Sequence, residues 1–537
     1  MLKGLALLFI ILISTPLMLA ALPAFPGAEG FGAQTVGGRG GKVYIVTNTN
    51  SSGAGSFSSA LMAAEPRIIV FRVSGVITSN GPVYGAWEVR GPQSNFTIAG
   101  QTSPGGITLV GGYESFWYNY ANPMHDMIIR FVRFRSGNVA NHGLMMAEVN
   151  NLMIDHCDFS GGTDECLDLC HAYDVTVEWS TICNSSTSGQ TYGLLMAYPP
   201  TYNISLSHLL MSNHKNRGPH MHWGSDANAV PPNNGLTDYR NNICYNFGDL
   251  SFNTYVSTQK ANMNIVGNYF KEGPNSAKFL GQVQLGGVTA YETDNVMMPK
   301  GGSANRSQMA GCVSAKTATP FTTAAVTTHT ADNAYQVVLD SVGAWPRDAM
   351  NVRSVSEVRN GTGQFGKQDD AKITTGPAAP PDADNDGMPD CWESANGLNP
   401  NDAADNIKDK FGNGYNNIEE YINDVALIQM GRTPIHTPCQ SVVETYDKTG
   451  NLSWLSISPN PCAGTGTIAL SIPFLKDKNN NNIQMLDGQG RVISNLKASK
   501  MSRVNLGNEG KRLTPGIYFI RWTEEGKLRG LKKLIVM

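Results

Sequence analysis

Met127-Ile128-Ile129-Arg130-Phe131, Leu152-Met153-Ile154-Asp155-His156, Val175-Thr176-Val177-Glu178-Trp179 and Ile204-Ser205-Leu206-Ser207-His208 are variants of one short phrase, and Met263-Asn264-Ile265-Val266-Gly267 is another. Each is a brief run rich in Val, Ile and aromatic side chains, preceded by Asn or Asp in a turn, which is the signature of a short strand. The phrase returns at intervals somewhat above twenty residues from about Phe25 to Thr375, without helical patterns between copies. Strands this short need a neighbour on either side to bury their faces. A coil in which each turn stacks its strands on the next, a parallel β-helix, supplies those neighbours. A sandwich or propeller would instead place hairpin turns roughly every 8–12 residues. The sequence therefore predicts an all-β protein whose main domain, residues 22–375, is a right-handed parallel β-helix.

Outside this repeat the composition sets limits. The chain has 537 residues, with 40 Lys+Arg against 43 Asp+Glu, a net charge of −3 and only 15% charged residues. No basic footprint for nucleic acid or an anionic membrane is present. Fifty-seven glycines and 28 prolines fit a turn-rich, strand-rich chain rather than a helical bundle. Lys3, the apolar run Leu5–Ile13 and small residues at Ala20-Ala21 read as a secretory signal peptide over 1–21. That run is too short for the ~20 residues of a membrane span, and no other segment is apolar enough, so the mature chain is expected to have no transmembrane segment. Nine cysteines are too few for a disulfide scaffold and are expected to be mostly buried small apolar residues, with one or two bridges.

Gly376-Pro377-Ala378-Ala379-Pro380-Pro381 is an extended linker by its prolines. It opens a small module, 376–425, whose sharpest motif is Asp382-Ala383-Asp384-Asn385-Asp386-Gly387-Met388-Pro389-Asp390-Cys391-Trp392-Glu393. Carboxylates at loop positions 1, 3 and 5 (Asp382, Asp384, Asp386), glycine at 6, the Met388 carbonyl at 7 and Glu393 at 12 form the EF-type Ca2+ loop pattern. A second copy, with Asp409, Asn413 and Glu420, lacks an oxygen at position 3 and is expected to bind less tightly. The short gap between loops suits a structural calcium clip. After a loose stretch, 426–451, short strands and turns resume over 452–537 as a small antiparallel β-sandwich.

The other informative segment runs from Asp155 to His222. Asp164 and Asp168 share a face if that stretch is extended, and could hold calcium or serve as a glycosidase acid and base. Downstream lie Lys215, Arg217 and His214, His220 and His222. A zinc site built from these histidines lacks a fourth ligand nearby. Cationic groups close to carboxylates suit an anionic substrate bridged to the protein by a metal.

Phe25-Pro26-Gly27-Ala28-Glu29-Gly30-Phe31-Gly32, Ile154-Asp155-His156-Cys157, Gly162-Thr163-Asp164-Glu165, Arg217-Gly218-Pro219 and Asn264-Ile265-Val266-Gly267-Asn268-Tyr269-Phe270 together resemble the pectate lyases of polysaccharide lyase family 1, from about Pro26 to Pro274. The resemblance implies calcium-assisted β-elimination of an acidic polysaccharide, pectate or pectin, with Arg217 as the base. It also implies that Asp164 and Asp168 are calcium ligands, while Asp155 and His156 are read as packing residues of the rung. Lys215, His142, His220 and His222 stand where substrate groups are expected. The sequence departs from the family at Asn138-Val139-Ala140-Asn141-His142, where two further carboxylates are expected, and at His220 or His222, which replace a second arginine. A hydrolase and a pectin-binding β-helix without turnover remain alternatives. The calcium loops resemble thrombospondin type 3-like repeats. The tail, with Ser458-Pro459-Asn460-Pro461 and Leu513-Thr514-Pro515-Gly516-Ile517-Tyr518-Phe519, resembles the C-terminal sorting domain of type IX secretion substrates. This implies the type IX machinery as a partner and a secreted or cell-surface protein.

Overall fold

The computed structural model describes residues 22–79, 87–111, 113–115, 122–136, 142–198, 201–223, 235–256, 261–277, 283–306, 313–367, 376–439, 445–446, 452–453, 456–458, 467–471, 481–486, 491–496, 501–505, 516–524 and 527–536. The expected signal peptide and Asn138–Asn141 lie outside them.

The repeated phrase is one side of a parallel β-helix of about eight turns. Ile69, Ile98, Ile129, Ile154, Val177, Leu206, Tyr239 and Ile265 stand above one another in a parallel ladder, and none is accessible to solvent. A second ladder stacks Leu109, Phe134, Phe159, Ile182, Met211, Cys244 and Phe270. A third stacks Met146, Leu169, Met196 and Met221. All three point into one core, where burying each such side chain contributes about 1.5–3 kcal/mol. Period-two alternation then sends the intervening residues of the third ladder outward. Where the rungs turn, Phe131, His156, Trp179 and His208 adopt left-handed backbone and their rings stack at 4.1–6.0 Å. The packing role read for His156 is thereby seen directly. Further along, the backbone N–H of Asn242 donates to Asn268 Oδ1 (2.9 Å) and that of Asn268 to Asn295 Oδ1 (3.0 Å), satisfying amides that a buried corner would otherwise orphan.

Besides a short helix at Phe57–Leu61, two longer helices interrupt the strands of 22–375. Ala331–Ser341 and Ala349–Asn360 are N-capped by Thr330 and Asp348, whose side chains accept the amides of Asn333 and Asn351. Val338, Leu339, Val355 and Val358 of these helices pack against Leu210, Ile243, Tyr245 and Tyr269 of the β-helix.

The segment 376–437 lies in the same compact unit as the β-helix, which extends to Thr437, and a second unit begins at Pro438. The helix Asn417–Gln429 runs past the boundary expected at 425 because its face of Ile418, Tyr421, Ile422 and Ala426 is buried. Arg39 bonds Glu419 at 2.9 Å, Arg130 bonds Asn423 at 3.2 Å, and Gln429 donates to the Gln101 carbonyl at 2.6 Å. Gly387 explains the closeness at the loop: its φ is +99°, and a Cβ there would meet Val43 at 2.9 Å. Within the second unit the described strands form antiparallel sheets, one of 456–458, 467–471 and 501–505, another of 481–486, 492–496, 516–524 and 527–536. Cys157, Cys166, Cys170, Cys183 and Cys244 are free and buried, whereas Cys391 and Cys439 are disulfide-bonded. Among the described residues no helix is long and apolar enough to cross a membrane.

Candidate active site

The outward residues of the third ladder are Met145, Asp168, Leu195, His220 and Asn253, in register on five consecutive rungs. Ala147, Cys170, Ala197 and His222 form the adjacent outward column. This face is apolar at its centre, where Met145, Ala147, Cys170 and Ala197 cluster, with its polar groups at the edges.

Arg217 follows the strand Leu210–Asn216 and has left-handed backbone, φ +66°, a conformation uncommon outside glycine that concentrates at functional sites. Its amide donates to Asn216 Oδ1 at 2.6 Å and its carbonyl accepts the Leu194 amide at 2.6 Å. The neighbouring rung can come this close because Gly193 has no side chain; a Cβ there would lie 2.4 Å from the Arg217 carbonyl. The guanidinium sits 4.1 Å above the Tyr192 ring and forms an ion pair with Glu165. Burial pushes it below the ordinary arginine range, with the Asp164 carboxylate opposing the shift.

Glu165 also faces His142, whose Nδ1 lies 3.3 Å from Glu165 Oε2 and 3.7 Å from Asp168 Oδ2. The ligand atoms of His142, Glu165 and Asp168 fall within 4.8 Å of one another, a spacing that can hold a metal ion. Asp164 stands in a bend just before the strand that begins at Glu165 and is not in this group, although its Oδ1 is buried without a partner. Glu165 is therefore the member that sequence reasoning missed. His142, expected at the substrate, instead joins the metal-capable group. Burial raises the Asp168 carboxyl, and His142 opposes that shift.

His220 and His222 lie edge to face at 5.6 Å. Burial, with Arg217 and His222 close by, pushes His220 down to about 4, and burial lowers His222 as well. At neutral pH these rings are hydrogen-bonding groups rather than the cations that an arginine would supply. Lys215 is exposed, 3.7 Å from Asp249. His214 takes no part in the cleft; it is buried in the β-helix, bonded to Ser185 and to the Ile182 carbonyl at 2.6 Å.

A curated relative, a probable pectate lyase C of Aspergillus terreus, is 32% identical over 443 residues, which cover 76% of this chain and 94% of that protein. The chain belongs to the pectate lyase family. A second probable pectate lyase C, from Emericella nidulans, is 31% identical over 427 residues, 75% of this pectate lyase and 93% of the relative. Among solved structures, a thermostable pectate lyase has 15% identity and a TM-score of 0.43, covering 60% of this chain and 97% of its own. Residues 456–537 match the secretion system C-terminal sorting domain family.

The lyase carries a second metal-capable region away from the cleft. In the loop 382–393 the Asp382 carboxylate accepts the amides of Asp386 and Gly387 (3.2 and 3.3 Å) and pairs with Arg72 at 3.1 Å. Asp386 and Glu393 are buried, and both oxygens of Asp384 and of Glu393 lack hydrogen-bond partners. Such orphaned oxygens are what a hard cation would satisfy. In the second loop Asp409 accepts the amides of Gly412, Asn413 and Gly414, while Asn413 donates to Glu420 at 2.6 Å. Burial, reinforced by neighbouring carboxylates, raises Asp386 to about 7 and Glu393 to about 8. The folded chain thus holds protons that the unfolded chain releases near pH 4. Their contribution to stability is full below that value and is lost as the pH rises through 7–8. In a chelator, melting points measured between pH 5 and pH 8 should fall with pH, and saturating calcium should flatten the curve.

Proposed function

We propose that this pectate lyase is exported and cleaves polygalacturonate by calcium-assisted β-elimination, with Arg217 as the base. The observation that carries the reading is the juxtaposition of Arg217, half-buried and stacked on Tyr192, with the metal-capable group His142, Glu165 and Asp168. In the reaction a neutral Arg217 would take the proton from the carbon beside the uronate carboxylate. The released electron pair forms the new double bond, and the C–O bond to the glycosidic oxygen breaks; that oxygen leaves with the bonding pair and takes a proton from water, leaving an unsaturated sugar end on one fragment and a hydroxyl on the other. A calcium ion held at His142, Glu165 and Asp168 would neutralise the carboxylate on which negative charge develops. His220 and His222, neutral and both two rungs from Asp168, are placed to hydrogen-bond the sugar, and Lys215 to attract its charge.

Two further features support export: the signal-like N-terminus and the match of the tail to a secretion sorting family. The type IX machinery is the partner that this tail implies. Calcium at the loop 382–393, with Met388 supplying its carbonyl, is read as structural, because the loop docks on the β-helix through Arg72 rather than on the cleft.

Asp168→Asn tests the cleft. The calcium concentration giving half-maximal turnover on polygalacturonate should rise about tenfold or more, with the melting point in calcium unchanged. An unaltered calcium requirement would remove Asp168 from the ligand set.

A further inference from the structure

Position 9 of an EF-type loop commonly reaches its ion through water. Here that residue, Asp390, is turned back, its Oδ1 accepting the Ala383 amide at 2.7 Å. A carboxylate from outside the twelve residues stands in the group instead. Asp405, nineteen residues beyond Asp386, brings a ligand oxygen within 4.8 Å of those of Asp386 and Glu393. Asp405 is buried, and its Oδ1 has no partner, while Oδ2 accepts the Asn399 amide at 3.2 Å. The fully buried Glu393 beside it has both oxygens free of hydrogen bonds.

We infer that Asp405 is a ligand of the cation bound by loop 382–393, and that through it binding at the first loop orders the second. The inference rests on the reading of 382–393 as a calcium loop. The connection is short. Asn406 donates to the Asp386 carbonyl at 3.1 Å, and its own carbonyl accepts the Ile418 amide at 3.0 Å. The Asp405 carbonyl accepts the side-chain amide of Asn417, the first residue of the helix docked on the β-helix, at 2.7 Å. An ion that draws in Asp405 therefore fixes both ends of the segment 405–417 and the start of that helix. Asp405 also joins Asp386 and Glu393 in one group of ligand atoms, raising the negative charge at the ion, the variable by which such loops tune affinity.

Terbium luminescence sensitised by Trp392, which precedes Glu393 and is itself buried, reads this site. An Asp168→Asn background weakens binding in the cleft, so that the tighter sites report first. Asp384→Asn should weaken terbium binding, and Asp405→Asn should weaken it by about ten- to hundredfold. If Asp384→Asn weakens binding and Asp405→Asn leaves it unchanged, the role of Asp405 is overturned and the calcium loop stands. If neither substitution alters binding, the loop reading falls and the inference with it. A second measurement needs no change at Asp405. In an Asp409→Asn chain, whose second loop has lost its first ligand, calcium should slow amide hydrogen exchange across Asn406–Ile418. Protection confined to 382–393 would contradict the coupling.

Discussion

Arg217→Lys should lower the rate of unsaturated-product formation on polygalacturonate by about 10²–10⁴-fold, the usual contribution of a positioned general base, while leaving the melting point close to that of the parent chain. Lysine is the informative replacement. Glu165 is buried and depends on Arg217 for its charge partner, so Arg217→Ala leaves a buried carboxylate facing only His142 and invites a stability loss unrelated to chemistry. Lysine keeps a cation for Glu165 but cannot reproduce the planar stack on Tyr192. If Arg217 only neutralised Glu165, Arg217→Lys would retain turnover. Near-parental activity in that variant would take Arg217 out of the base role.

Removing calcium should lower thermal stability through the 382–437 segment, not through the cleft. With calcium at about a hundred times its Kd, binding adds about 2.7 kcal/mol to the folded state. In a chain of this size that is a shift of only a few degrees, about 2–4 °C per kcal/mol at most. The chelated protein carries the mutual repulsion of Asp382, Asp384, Asp386, Glu393 and Asp405 besides, so the full difference should be larger. Glu393→Gln should abolish most of the calcium-dependent gain while leaving turnover in calcium near normal, because the loop meets the β-helix at Val43, Val70 and Arg72 rather than at Arg217. Equal melting points of the parent chain with calcium and with chelator would count against a structural role for the loop.

The β-helix was legible because each rung had to present the same apolar positions to one core. Ile129, Ile154, Val177, Leu206 and Ile265, central to the five quoted phrases, fall in a single ladder. The helices at 331–341 and 349–360 were hidden by a strand-rich composition, although their caps at Thr330 and Asp348 were visible signals. In the cleft, even spacing singled out Asp164 and Asp168. The strand begins only at Glu165, so that rule does not extend to Asp164, and Glu165 lies between Arg217 and His142 for reasons of inter-rung register that the local sequence does not carry. The clustering of Asp382, Asp384 and Asp386 was readable from their alternate spacing in the loop. Asp405 was not, because its approach depends on how the following turn folds back, and neither was the docking of the module through Arg39, Arg72 and Arg130.

The most direct test of the account is a product balance. Purified full-length chain should be incubated with polygalacturonate in calcium, and ultraviolet-absorbing unsaturated ends counted against new reducing ends. Elimination guided by Arg217 predicts one unsaturated end for each new reducing end, with both lost in chelator and in Arg217→Lys. Reducing ends without ultraviolet absorbance, or a full yield of unsaturated product from Arg217→Lys, would contradict it.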